Sequence, residues 1–438
     1  MREADCIVWG EYLLPMDDGV RVLRDGAVAV VGGRIAAVGT FGEVSRNYKA
    51  KKTIGGAGKA VMPGLINTHT HAAMVFMRGM ADDLPLKDWL EGHIWPAENR
   101  WLSPRFIKDA VSLACLEMLK AGITTYSDMY FYEDVSAKTA RQFGIRAVLG
   151  AGIVDFPTKT GSGRDDYLKK AEEFIKDCTG DELIVPAVAP HSAYACSPET
   201  LRMSSELAGK YNVLFHTHLA ETKWERDEVK GKYGHTPVEI LEAAGALEGR
   251  LVAAHCVWLT NREIELFAKK GVSVSHCVES NLKLASGIAP VPEMLKAGVR
   301  VTLGTDGAAS NNDLNILSEM STAAKLHKAV SGDPTALDAK TVLLMATRRA
   351  AEALGLGDVT GSLTEGKSAD LIVIDLMKPH LCPVYNVESH IVYSARPSDV
   401  ETVMVRGREV VKDGELLTAD EDEILDKAVK WGERLRKG

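Results

Sequence analysis

Eight short apolar runs, separated by helical stretches, constrain this chain more than any other feature. They are Val61–His71, Ile123–Met129, Arg146–Val154, Leu183–His191, Val213–Leu219, Leu251–Cys256, Val272–Val278 and Val301–Asp306. Each is rich in β-branched residues and lacks polar alternation, the pattern of strands buried on both faces. Helical periodicity occupies Arg105–Ala121, Asp166–Asp177, Pro198–Tyr211, Thr236–Ala244 and Arg262–Lys270. Eight strands with helical crossovers predict an α/β protein, a closed (β/α)8 TIM-type barrel over 61–357. An open doubly wound sheet is the rival, but no GxGxxG follows any run.

Both ends of the chain have a different texture. Ala27–Val38 (AVAVVGGRIAAV) places Gly-Gly between two apolar runs, a hairpin signal. Asp370–Asp375 reads as a strand and Val400–Val411 as two strands around Arg406-Gly407. Neither end buries a core alone, so residues 1–60 and 358–420 are expected to pair into one small β-sandwich domain. Residues 420–438 read as a charged terminal helix.

Bulk properties narrow the partners. A net charge of −8 without a basic stripe argues against nucleic acid. Seven scattered cysteines with no CxxC pair indicate a reduced, cytoplasmic protein rather than a disulfide scaffold. No run approaches the ~18 apolar residues of a membrane span, and the N-terminus lacks an apolar signal core. Self-association into a homo-oligomer stays open.

The polar residues fall at the ends of the strands. The first run ends in Asn67-Thr68-His69-Thr70-His71. On a strand, His69 and His71 face the same way, so two imidazoles can share one ion. The fifth run ends in His216-Thr217-His218-Leu219-Ala220-Glu221, the sixth in His255-Cys256 and the eighth in Gly304-Thr305-Asp306-Gly307. These are C-terminal strand ends, the face where barrel active sites lie. Unpaired polar groups converging there are costly to bury, and a divalent cation removes that cost. The expected ligands are His69, His71, His218 and Asp306, with His216 as the competitor on the fifth strand. His218 is preferred because it lies nearer the strand end and precedes Glu221 by three residues. Such a set suits one zinc ion per subunit, with Fe²⁺ or Mn²⁺ as alternatives. Glu221 is placed to shuttle a proton, Asp306 to accept one, and His255 to steady an oxyanion.

These residues make the chain resemble the amidohydrolase superfamily over essentially its whole length. The resemblance rests on Pro63–His71, on the run HTHLAET at 216–222, on Ser280-Asn281-Leu282-Lys283-Leu284, on Gly304–Gly307 and on Gly361–Leu371. Within the superfamily the chain is most similar to 5′-methylthioadenosine/S-adenosylhomocysteine deaminases and their 5′-deoxyadenosine relatives. That likeness implies a single metal, because Ala189-Pro190-His191-Ser192 supplies no bridging lysine at the end of the fourth strand. It implies that Glu98 binds the ribose hydroxyls, that Trp89 lies against the 5′ side of the nucleoside, and that His191 reaches the ribose. It also implies two arginines for the homocysteine carboxylate. One is matched by Arg164, whereas Gly150-Ala151-Gly152 replaces the other, which points to substrates with an uncharged 5′ group.

The expected reaction is hydrolytic deamination at C6 of an adenosine-type nucleoside. A hydroxide generated at the metal attacks C6, Glu221 protonates N1 and assists the departing ammonia, and Asp306 takes the remaining proton. Rivals are a guanine-type deaminase or an s-triazine hydrolase on the same fold, a ring-opening amidohydrolase, and a catalytically dead scaffold. Ring-opening members call for the missing lysine, and a dead homologue has no chemical need for Glu221.

Overall fold

The computed structural model describes residues 1–17 and 21–437. Residues 18–20 of the expected N-terminal β segment, and Gly438 at the end of the expected terminal helix, lie outside the described residues.

Eight parallel strands pair in chain order: β1 (Leu65–Thr70), β2 (Ile123–Tyr130), β3 (Arg146–Ile153), β4 (Ile184–Pro190), β5 (Leu214–Leu219), β6 (Leu251–His255), β7 (Ser273–His276) and β8 (Arg300–Leu303). The ring closes between its ends. The Asp306 N–H donates to the His69 carbonyl at 3.0 Å, and Thr68 Oγ1 donates to the Leu303 carbonyl at 2.8 Å. Nearly every strand residue is buried, which is why these runs show no polar alternation.

The crossover helices carry their own start and stop signals. Pro198–Tyr211 begins behind Ser197, whose hydroxyl accepts from the Thr200 N–H, with Pro at its first position. Asn261–Lys270 begins with a Thr260/Glu263 capping box and ends at Gly271 in the left-handed region. Helices at Glu133–Phe143, Lys223–Tyr233, Val291–Ala297 and Ile316–Ser331 were not expected from periodicity. The last of these buries Glu319 and His327 on the same face as its apolar residues, which blurs the apolar stripe in the sequence.

The expected first strand, Val61–His71, is two strands. Thr53–Pro63 pairs with Leu371–Asp375 in an outer sheet, and β1 starts afresh at Leu65. Gly64 makes the transfer between them. A Cβ there would lie 2.1 Å from Thr124 Oγ1, so only glycine fits.

The outer sheet is mixed and draws on both ends of the chain. Its order is Glu415–Leu416, Arg408–Lys412, Val400–Val405, Leu371–Asp375, Thr53–Pro63, Cys6–Leu13, Leu23–Val31 and Arg34–Thr40. Val8, Val28 and Val30 from one end share a core with Leu371, Val373 and Met404 from the other. Gly32 and Gly33 turn the hairpin at φ +56° and +79°, as a type I′ turn requires. Arg146 at the start of β3 forms a buried ion pair with Asp370 at 3.0 Å, fastening this sheet to the barrel. The terminal helix Glu421–Arg436 packs Trp431 on Phe106, its indole N–H donating to Asp109. Among the described residues no helix is long and apolar enough to cross a membrane.

Candidate metal centre and substrate cavity

The polar strand ends converge. His69, His71, His218 and Asp306 each offer a ligand atom, and these atoms all lie within 4.8 Å of one another. Asp306 Oδ1 is 3.5 Å from His69 Nε2 and 3.2 Å from His71 Nε2, and His71 Nε2 is 3.2 Å from His218 Nε2. Simple alternation is not what aligns the two histidines of β1. The β1–β2 register shifts between Asn67 and Thr70, and His71 has left the strand, at φ −123° and ψ 78°. The rings still meet edge to face, centroids 5.0 Å apart.

Carbonyl partners behind two of the imidazoles fix their protons on Nδ1. His71 Nδ1 donates to the Met129 carbonyl (2.8 Å) and His218 Nδ1 to the His191 carbonyl (2.7 Å). His69 Nδ1 faces His216 Nε2 at 3.0 Å, and His216 Nδ1 faces Ser127 Oγ at 3.2 Å. His216 thus lies behind His69, outside the group of four that could hold an ion. Three Nε2 lone pairs and a carboxylate oxygen point at one place, and His69 Nε2 has no hydrogen-bond partner despite complete burial. Such an array is favourable only around a cation, and the carbonyl-braced imidazoles are the usual support for one. Burial lowers His69 to about 4. Burial opposes charge on His71 too, but Asp306 and Asp128 outweigh it and raise His71 to about 9, so this spot draws positive charge. Asp306 is likewise opposed by burial, yet His69 and His71 hold it well below the usual carboxylate range.

Four of the strand-end residues adopt left-handed backbone: Ala220 (φ +49°), His255 (+70°), Cys256 (+50°) and Asp306 (+62°). Such strain costs about 1–3 kcal/mol each and persists where the surroundings impose it. At Ala220 the imposing group is the buried Glu225, whose carboxylate accepts from the Ala220 and Glu221 N–H groups. This aims Glu221 inward. Its Oε2 lies 3.8 Å from His255 Nε2, and Ser286 Oγ donates to its Oε1 at 3.4 Å. Burial raises Glu221, with His255 working the other way. His255 Nδ1 is held by Asn281 Oδ1 at 2.9 Å, leaving Nε2 buried without a partner.

A cavity of about 510 Å³ opens above this cluster, within the range of small-molecule sites. His71, His218, Glu221, His255 and Asp306 line its floor, with His69 sealed beneath. Trp89, Glu98 and His191 line its walls. Trp89 and Glu98 come from an irregular helical segment whose middle, Leu90–Ile94, is a π-turn. Arg164 corrects the sequence reading, since it does not line the cavity. It is the first residue of the helix Arg164–Cys178, half-buried at the surface, where Nε donates to Asp165 at 2.8 Å. Lys159 is the cation that the same loop contributes to the cavity wall. Tyr130, Asn281 and Ser286 were missed from sequence. Tyr130 carries the signal that found the others, a polar residue at a C-terminal strand end, whereas Asn281 sits within the helix Val278–Lys283.

A parallel barrel with three imidazoles and a carboxylate gathered at its C-terminal mouth, flanked by a buried acid and a buried imidazole, is the architecture of a metal-dependent hydrolase. The amidohydrolase family model matches residues 60–410, and the chain belongs to that family. It is 54% identical over 432 residues to a 5-methylthioadenosine/S-adenosylhomocysteine deaminase of Thermodesulfovibrio yellowstonii, covering 98% of each chain. It is 45% identical to a 5′-deoxyadenosine deaminase of Methanosarcina barkeri, covering 99% and 98%. Among solved structures, a zinc-bound adenosine deaminase from Xanthomonas campestris superposes with a TM-score of 0.98 at 41% identity, covering all of both chains. A zinc-bound atrazine chlorohydrolase from Arthrobacter aurescens superposes with a TM-score of 0.91 at 27% identity, covering 98% and 100%.

Proposed function

We propose that this protein is a zinc-dependent deaminase of adenosine-type nucleosides, releasing ammonia and leaving the inosine-type product. The observation that carries the proposal is the buried Glu221–His255 pair at 3.8 Å beside a cluster of four ligand atoms, at the floor of a cavity walled by Trp89, Glu98 and His191. The relatives named for 5′-methylthioadenosine, S-adenosylhomocysteine and 5′-deoxyadenosine support the substrate class.

In this reading His69, His71, His218 and Asp306 hold the ion. When bound, a divalent ion there brings water to ionise near neutral pH and so supplies a nucleophile. Glu221, its proton affinity raised by burial, delivers a proton to N1 of the adenine ring as C6 is attacked. Of the two protons of the water, Glu221 carries one to N1, and the one that Asp306 accepts passes on to the exocyclic amine, which leaves as ammonia. Asp306 accepts the proton lost by the attacking water, and His255 donates to the developing oxyanion. Asn281 holds His255 at Nδ1, so that Nε2 faces the developing oxyanion. The cavity walls exclude water and orient the sugar, with Glu98 accepting from ribose hydroxyls. The seven unpaired cysteines fit a cytoplasmic enzyme.

An ammonia-release screen tests this. Adenosine, 5′-methylthioadenosine, 5′-deoxyadenosine, free adenine, guanine and an s-triazine are assayed with metal content measured alongside. Turnover confined to free bases or triazines contradicts the proposal and favours the kind of substrate named for the Arthrobacter enzyme.

A further inference from the structure

Two successive residues at the end of β2 serve opposite ends of the cavity. The Met129 carbonyl accepts from His71 Nδ1 at 2.8 Å, fixing a histidine of the metal cluster. The next residue, Tyr130, donates its hydroxyl to Glu98 Oε1 at 2.6 Å. Both Tyr130 and Glu98 line the cavity and both are buried. The backbone between them cannot drift, because the Tyr130 N–H donates to Glu133 Oε1 at 3.1 Å. The Tyr130 ring is braced by His71 on one side and Phe131 on the other, at centroid distances of 6.1 Å and 5.4 Å.

Glu98 is supplied by the irregular helix Trp95–Trp101, which follows the π-turn and does not belong to the barrel. A carboxylate on such a segment has freedom that strand-borne residues lack. Tyr130 is the one side chain of the barrel strands that donates to it among the described residues. With Oε1 taken by a phenol, Oε2 is left to accept from a ligand hydroxyl, and the carboxylate plane is set by the barrel instead of by the helix.

We infer that Tyr130 is a positioning residue for sugar recognition: it ties Glu98 to the strand that also orients His71, and so fixes the distance between the reacting centre and the hydroxyl-reading carboxylate. The inference rests on the nucleoside-deaminase reading above.

The test compares adenosine with 2′,3′-dideoxyadenosine in the metal-loaded enzyme, for the unsubstituted protein, Tyr130→Phe, Glu98→Ala and the double variant. Tyr130→Phe keeps the ring packing and removes only the donor. The expected result is that kcat/KM for adenosine falls about tenfold, mainly through KM, and at least fivefold more than for the dideoxynucleoside, because a hydrogen bond to a charged group is lost. In the Glu98→Ala background, adding Tyr130→Phe leaves the ratio of the two substrates unchanged, since there is no carboxylate left to position. Equal loss on both substrates, or an unchanged ratio in Tyr130→Phe, overturns the inference. Metal content and melting temperature equal to the unsubstituted protein guard against a general defect. Absence of deamination of either nucleoside by the unsubstituted protein would overturn the functional reading, and this inference with it.

Discussion

Asp306 is joined to His69 twice: its N–H donates to the His69 carbonyl at 3.0 Å, and its carboxylate Oδ1 lies 3.5 Å from His69 Nε2. The first contact closes the barrel between its first and last strands. The second gathers ligand atoms at its mouth. Closure of the fold and assembly of the site are thus one event at one pair of residues.

It follows that the ion and the fold stabilise each other. Binding to the native state alone adds about 4 kcal/mol when the free ion is a thousandfold above its dissociation constant. Chelation is expected to lower the melting temperature by several degrees, with recovery on adding zinc. His69→Ala is expected to lose the ion and to show the lower melting temperature whether or not chelator is present. Stoichiometric zinc in His69→Ala, read by atomic emission, would contradict this.

Glu221 touches no ligand of the cluster by hydrogen bond; its contacts are with Ser286, His255 and, through its own N–H, Glu225. Glu221→Gln is therefore expected to retain the metal while kcat falls by about 10²–10⁴, the usual worth of a positioned proton carrier. Metal analysis and ammonia release on the same preparation separate the two effects. Near-normal turnover would remove Glu221 from the proton path.

Most of this site was legible because barrel chemistry sits where strands end, and buried strands announce their ends in the sequence. His69, His71, His218, His255 and Asp306 were found in that way. Residues on irregular segments left no such signal. Trp89 and Glu98 were placed only through resemblance, because a π-turn between them breaks the helical period. Arg164 was misplaced for a related reason. The loop before it sends Lys159 inward and leaves Arg164 to open a helix outside, paired with its neighbour Asp165. The boundary near residue 60 slipped because Val61–Pro63 and β1 are equally apolar, and only the clash that any Cβ at Gly64 would meet separates them.

Glu98 gives the protein a pH-dependent cost. Burial raises it from an ordinary 4.5 to about 7, with Tyr130 and His71 pulling the other way. The folded state therefore holds this proton more tightly than the unfolded chain does. Stability falls as pH rises from about 4.5 to 7, and above 7 the full cost, about 3 kcal/mol as an upper bound, is present. Glu98→Gln keeps an acceptor for Tyr130 and removes the charge. It is expected to be more stable than the unsubstituted protein at pH 8.5, no more stable at pH 4, and less active on ribonucleosides. Urea unfolding at the two pH values decides it, and a stability difference independent of pH would count against the ionised, buried Glu98.

The 5′ substituent is the last open choice, and the cavity walls argue for an uncharged one. Leu86, Trp89, Leu90, Ile94, Trp95 and Phe156 face the space beyond Glu98, with the Trp95 and Phe156 rings 5.5 Å apart. Ala151 stands where the resemblance calls for an arginine, and Arg164 is turned to the surface, so neither half of a guanidinium clamp meets the cavity. Lys159 is the remaining cation on that side, and its ammonium donates to the Arg100 carbonyl at 2.5 Å. A single flexible ammonium already engaged with a helix end is a weaker carboxylate receptor than a paired guanidinium fork, whereas each apolar group buried on the aromatic wall is favourable by about 0.8 kcal/mol per methylene. The value of kcat/KM for 5′-methylthioadenosine is therefore expected to exceed that for S-adenosylhomocysteine by about tenfold, the worth of one charge-assisted contact. Equal values, or a preference for S-adenosylhomocysteine, would mean that Lys159 or a rearranged Arg164 supplies the missing receptor. Lys159→Ala would then show which, by abolishing the preference or leaving it intact.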